Sequence, residues 1–147
     1  MASLTLANID YYLAGVFDGE GTIGVYHRSW RGTDGPTRII VAVAMCDKPP
    51  LKAFHERFGG RLRLDRVIPS GRHLWKWYRV GTSAKEALTV FAELCLNKGP
   101  QAKLALEAIA LVEATRGRDR RHRITPVEEN RRAEIAAEVK RLKSENL

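Results

Sequence analysis

The sequence is short of cysteine, of long apolar runs and, across its middle, of acid. Cys46 and Cys95 are its only cysteines, with neither CxxC nor Cys/His ligand spacing. That sets aside a disulfide framework or a zinc cluster and leaves two buried thiols in a reducing compartment. No apolar stretch approaches the roughly 18 residues that cross a bilayer, and the opening "MASLTLANIDYY" has no basic start of a signal peptide. The expectation is an intracellular, soluble protein of cytoplasm, nucleoid or organelle matrix. Low-complexity tracts and long linkers are missing too, and 147 residues make one domain's length, enough to bury roughly two thirds of the unfolded surface.

The shortage of acid is local. Between residues 24 and 80 twelve Lys and Arg face four acids, while the rest of the chain holds thirteen of each. The whole net charge of +8 therefore sits in one central block. Such a block is the footprint of a surface turned toward phosphates.

What is present is a change of period. Ile9, Tyr12, Leu13, Val16 and Phe17 recur at helical spacing behind Asn8 as N-cap. From Thr22 the period becomes two, interrupted by the turn-rich "WRGTDGP" and resumed with Ile39, Val41, Val43 and Met45 on one side and Arg38, Ile40, Ala42 and Ala44 on the other. "DKPPLKAFHERFGG" reads as a second helix capped by Asp47, with Leu51, Phe54 and Phe58 on one stripe and Gly59 as the stop. A second hairpin follows, "GRLRLDRVI" and "RHLWKWYRV". Ser83 and Glu86 form a capping-box pattern before the next helix, and another helix runs from Pro100 to Gly117. After the basic "RGRDRRHR", Thr125 caps a last helix with little apolar content, expected to pack on the surface. The fold class is α+β: an αββαββα core with a four-stranded antiparallel sheet, residues 1–124, and an extra C-terminal helix, 125–147, on the same domain.

Residues 12–24, "YLAGVFDGEGTIG", hold Asp18 and Glu20 one residue apart among glycines 15, 19, 21 and 24. Taken alone this is a helix end with two solvated acids. With the order of elements behind it, the stretch resembles the LAGLIDADG homing endonucleases, in the branch with one motif per chain that works as a homodimer. The likeness spans about residues 8–112 and matches the nine-residue motif at Leu13, Ala14, Gly15, Asp18, Gly19 and Gly21, with Val16, Phe17 and Glu20 as variants.

The resemblance implies a site-specific double-strand DNA endonuclease, associated with intron homing, that cuts a long pseudo-palindrome with Mg²⁺. A non-cleaving descendant, an RNA maturase or DNA-binding regulator, is the alternative. Leu13, Ala14, Gly15 and Asp18 fall at the dimer interface, and Glu20 and Gly19 at the metal. Glu20, Asp47 and Lys98 make the catalytic set, although Asp47 stands where Gln is expected and equally reads as a helix cap. Lys98 equally reads as a lysine favoured by a helix dipole. Cleaving a phosphodiester calls for an activated water and charge relief at phosphorus, which hard oxygen ligands around Mg²⁺ provide.

The polar side of the sheet should follow the major groove of double-stranded DNA. Parity sends Tyr26, Arg28, Arg38, Ile40, Ala42 and Ala44 there, and Arg61, Arg63 and Asp65 when Leu62 and Leu64 turn inward. The fourth strand leaves two readings. Tyr78 and Val80 inward put His73, Trp75, Trp77 and Arg79 on the groove; the reverse buries the tryptophans. The tract 116–123 reads either as further phosphate contact or as a solvated linker. No membrane partner or small-molecule substrate is expected.

Overall fold

The computed structural model describes residues 6–27, 37–116 and 124–145. Arg28 and most of the 116–123 tract therefore lie outside the described residues. Helix α1 (Leu6–Glu20) passes directly into β1 (Gly21–His27), followed by β2 (Thr37–Met45), α2 (Lys48–Phe58), β3 (Arg61–Val67) and β4 (His73–Val80). A 3₁₀ turn (Gly81–Ala84) leads to α3 (Lys85–Leu94), α4 (Gly99–Thr115) and α5 (Pro126–Glu145). The α+β order read from the sequence is the one observed. Asn8, the expected cap, lies within helix α1.

The strands form one antiparallel sheet in the order β1-β2-β4-β3. Residues paired directly across an antiparallel ladder share a face. One face carries Ile23, Val25, Ile39, Val41, Val43 and Trp77, all nearly inaccessible, and packs on Leu13 and Phe17 of α1, Leu51, Phe54 and Phe58 of α2, and Leu88 and Phe91 of α3. Phe17 stacks on Phe91 at 3.9 Å and Phe54 on Trp77 at 4.9 Å, so aromatic rings from α1, α2, α3 and β4 fill the centre. A Cβ on Gly21 would meet the Phe17 ring at 2.4 Å, so the step from α1 into β1 needs glycine there.

Charged ties fix the helices. Arg57 of α2 donates to Asp10 of α1 at 2.7 Å and to Glu86 of α3. Glu86 is therefore engaged elsewhere and the expected Ser83–Glu86 capping box does not form; the Ser83 hydroxyl donates to the Val80 carbonyl instead. The last helix does carry its box: the Thr125 N–H donates to Glu128 at 3.3 Å and the Glu128 N–H to the Thr125 hydroxyl at 3.2 Å. Helix α5 packs on β1 and α4 through Ile135 and Val139. Buried Arg132 donates to Thr37 and to the Leu111 carbonyl, each at 3.0 Å. Among the described residues no helix is long and apolar enough to cross a membrane.

Candidate nucleic-acid interface

The face opposite the core is built by parity from small and basic residues. Thr22, Gly24 and Tyr26 of β1 align with Ala42, Ile40 and Arg38 of β2, and Ala42 and Ala44 with Tyr78 and Lys76 of β4. Arg61 and Arg63 of β3 align with Tyr78 and Lys76. Tyr26, Arg38, Ile40, Ala44, Arg61 and Arg63 thus occupy the face assigned to them, while Ala42 sits low among neighbours at 8% exposure. A bulge at Asp65 shifts the register so that Arg66, opposite Leu74, takes the place expected of Asp65.

Trp75, Trp77 and Arg79 do not lie there. They pair with Met45, Val43 and Val41, on the core side. The physical reason is the C-terminus of α2, which leaves carbonyls without helical partners. The Trp77 indole N–H donates to the Gly59 carbonyl at 2.8 Å, and the Arg79 guanidinium donates to the Phe58 carbonyl. Trp77 gains complete burial and Arg79 a buried cap, while Lys48 of α2 lies over the Trp75 ring. Lys76, Tyr78 and Val80 take the outer positions instead. The signal for this was the alternation itself once Trp77 is required to face inward, and the bulge that brings Arg66 outward has no such signal.

At the mouth of the sheet α1 ends. Asp18 accepts from the backbone N–H groups of Asn97 and Lys98, each at 2.9 Å, and the Lys98 ammonium donates to the Asp18 carbonyl at 2.6 Å. Asp18 therefore braces the α3–α4 turn, and Lys98 neutralises the negative end of α1. Glu20, two residues on, is exposed and makes no hydrogen bond or ion pair among the described residues. Asp47 occupies the N-cap position of α2 without a side-chain cap bond; its carboxylate is 75% exposed and lies 3.7 Å from Arg72. Cys95 sits behind this corner, its thiol 3.4 Å from the Ala14 carbonyl and pushed up to about 12 by burial, with the Asp18 charge adding to it.

Of the four residues assigned to the interface between copies, Leu13 and Ala14 are buried in the protomer's own core, at 0% and 1% exposure, and Asp18 is engaged by the α3–α4 turn. The correction follows from helix geometry: Leu13, Ala14 and Phe17 share the inward stripe. The outward stripe holds Tyr11, Tyr12, Gly15 and Gly19, with Tyr11 and Tyr12 65% and 44% exposed. A Cβ added at Gly15 or Gly19 would meet nothing within 4 Å.

Comparison with solved structures places this arrangement. The homing endonuclease I-CvuI in complex with its target superposes with a TM-score of 0.67 at 22% identity, covering 90% of this chain and 80% of that one. I-TnaI gives 0.68 at 19%, covering 92% and 96%. The LAGLIDADG homing endonuclease I-GzeII, solved with a DNA target, gives 0.63 at 11%, covering 88% of this chain and 43% of its own. The chain has the LAGLIDADG homing-endonuclease fold. No protein-family model matches the sequence, and no curated protein does. Within the LAGLIDADG fold, the α1 motif, the β1–β4 face and the Asp18–Lys98 corner are the parts that this sequence supplies.

Proposed function

We propose that this protein is a homodimeric, site-specific double-strand DNA endonuclease that hydrolyses phosphodiester bonds with a divalent cation. The observation that carries the reading is Glu20: an exposed carboxylate, unpartnered among the described residues, at the end of α1, where the first strand of the sheet meets an open helix stripe. A surface acid without a partner among the described residues, at the β1 edge of a sheet whose outer face carries Arg61, Arg63, Arg66 and Lys76 toward the other edge, ties nothing within the protomer, whereas a carboxylate holding a metal at a bound phosphate has a use.

The described residues hold no group of three or more His, Cys, Asp or Glu side chains able to enclose a metal. One protomer offers the Glu20 carboxylate and the Gly19 carbonyl, both hard oxygens. A second copy docked through the Tyr11, Gly15 and Gly19 stripe brings the matching pair, and that donor set with water fits Mg²⁺. When bound, the cation supplies water activation and charge relief at the phosphorus. Glu20 positions it, Lys98 adds positive charge beside the scissile phosphate, and exposed Asp47 orders solvent at the end of β2. The chain matches nearly all of I-TnaI and under half of I-GzeII.

The test is a plasmid library of random inserts incubated with pure protein. The reading expects discrete double-strand cuts in Mg²⁺, none in EDTA, and recovery when Mg²⁺ is restored. Duplex binding without scission under any divalent ion would point to the non-cleaving alternative.

A further inference from the structure

The outer face of the sheet is chemically divided. Rows read across the strand registers run Gly24, Ile40, Val80; then Thr22, Ala42, Tyr78, Arg61; then Ala44, Lys76, Arg63, with Tyr26 and Arg38 at one end and Leu74 and Arg66 at the other. Arg61, Arg63, Arg66 and Lys76 all belong to β3 and β4, and among the described residues β1 and β2 add only Arg38 to this face. The other half holds a concavity of about 370 Å³ lined by Tyr26, Thr37, Arg38, Ile40 and Val80 among others, with Ile40 and Val80 its apolar side. Val80 is 48% exposed and Tyr26 56%. Apolar side chains gathered around one hollow differ from apolar residues scattered singly over a surface.

Resting on the duplex-binding function proposed above, we infer that each half-site is read in two tracts. A thymine-bearing A·T tract places its C5-methyl groups in the Ile40–Val80 hollow, and a guanine-bearing tract lies under Arg61, Arg63, Arg66 and Lys76. Ile and Val side chains neither donate nor accept. A G·C edge pressed on them leaves its O6, N7 and N4 groups without partners, whereas the thymine methyl offers apolar surface. Arginine and lysine match guanine O6 and N7. None of the four cations is paired with a carboxylate among the described residues. Arg63 and Lys76 lie 5.2 and 5.8 Å from the Tyr78 ring, which keeps both on the face.

The experiment is selection of bound duplexes from a randomised pool by the full chain at fixed salt, repeated with Ile40→Gln and Arg63→Leu after circular dichroism has checked that both fold. The expected consensus is a palindrome whose halves each hold separate T-bearing and G-bearing tracts. Arg63→Leu lowers guanine preference at one position of the second tract by roughly 5- to 150-fold and leaves the first tract alone; Ile40→Gln does the converse for thymine. A consensus without the two tracts, or affinity losses spread evenly over all sequences as phosphate contacts give, overturns the division while duplex binding stands. If the wild-type protein enriches no duplex at all, the nuclease reading fails and the division falls with it.

Discussion

Trp77 decides which way β4 faces. Alternation alone separates His73, Trp75, Trp77 and Arg79 from Leu74, Lys76, Tyr78 and Val80, two sets of similar mixed character. The choice rests on contacts remote in sequence, the Gly59 and Phe58 carbonyls. Trp77→Ala removes the ring that stacks on Phe54, and a loss of about 3–5 kcal/mol in chemical denaturation is expected. Asp18 is the other residue whose partners lie far off in the sequence. It reads as a motif acid, yet its carboxylate satisfies two backbone N–H groups of the α3–α4 turn. Asp18→Ala leaves those donors without their acceptor, a cost of about 1–3 kcal/mol, and, although the Lys98 ammonium keeps its backbone carbonyl partner, the turn that carries Lys98 loosens, so cleavage should fall with stability. Denaturation and cleavage measured on the same preparation check both.

At the scale of elements, the sequence was most readable where the signal is local. The helix stripes, the hairpins and the Thr125–Glu128 box depend on neighbours a few residues apart. The outward side of α1 was not readable, because Ala14 and Gly15 look equally suited to close helix contact and only the core shows which of them is already covered. Gly15 gives a clean prediction. Gly15→Leu meets no atom within the protomer and should raise helix stability by up to about 1 kcal/mol, yet it bars close approach of a second α1; sedimentation should then report a monomer that does not cut. The α5 seam carries a pH dependence. The side chain of His27 is almost inaccessible, its Nδ1 lies 3.0 Å from the Thr37 hydroxyl, and its Nε2 lies 3.9 Å from Glu129. Burial, and next the Arg132 charge, hold it below its ordinary value of 6.5. The unfolded chain therefore takes up a proton before the folded one, and stability falls as pH drops below 6.5. Thermal melting at pH 7 and pH 5 should show the drop, and His27→Gln should flatten it.

For the whole molecule, the excess charge located in residues 24–80 reappears in part as the outer cations of β3 and β4, and in part as structural contacts, the Arg57 tie between helices and the Arg79 cap of α2. Composition could say that a basic surface exists; it could not divide groove contacts from caps. Duplex affinity should fall steeply with salt, by roughly 10³- to 10⁵-fold between about 50 and 200 mM if about 6–10 phosphates are neutralised, a slope that filter binding measures. The central claim is that two Glu20 carboxylates, one from each copy, act on one bound duplex. It is tested most directly by comparing Glu20→Gln with wild type on a duplex recovered by selection, in Mg²⁺, with binding and scission measured on the same samples. The predicted result is unchanged binding with double-strand scission slowed by roughly 10²-fold or more. Scission by the variant at the wild-type rate would contradict it.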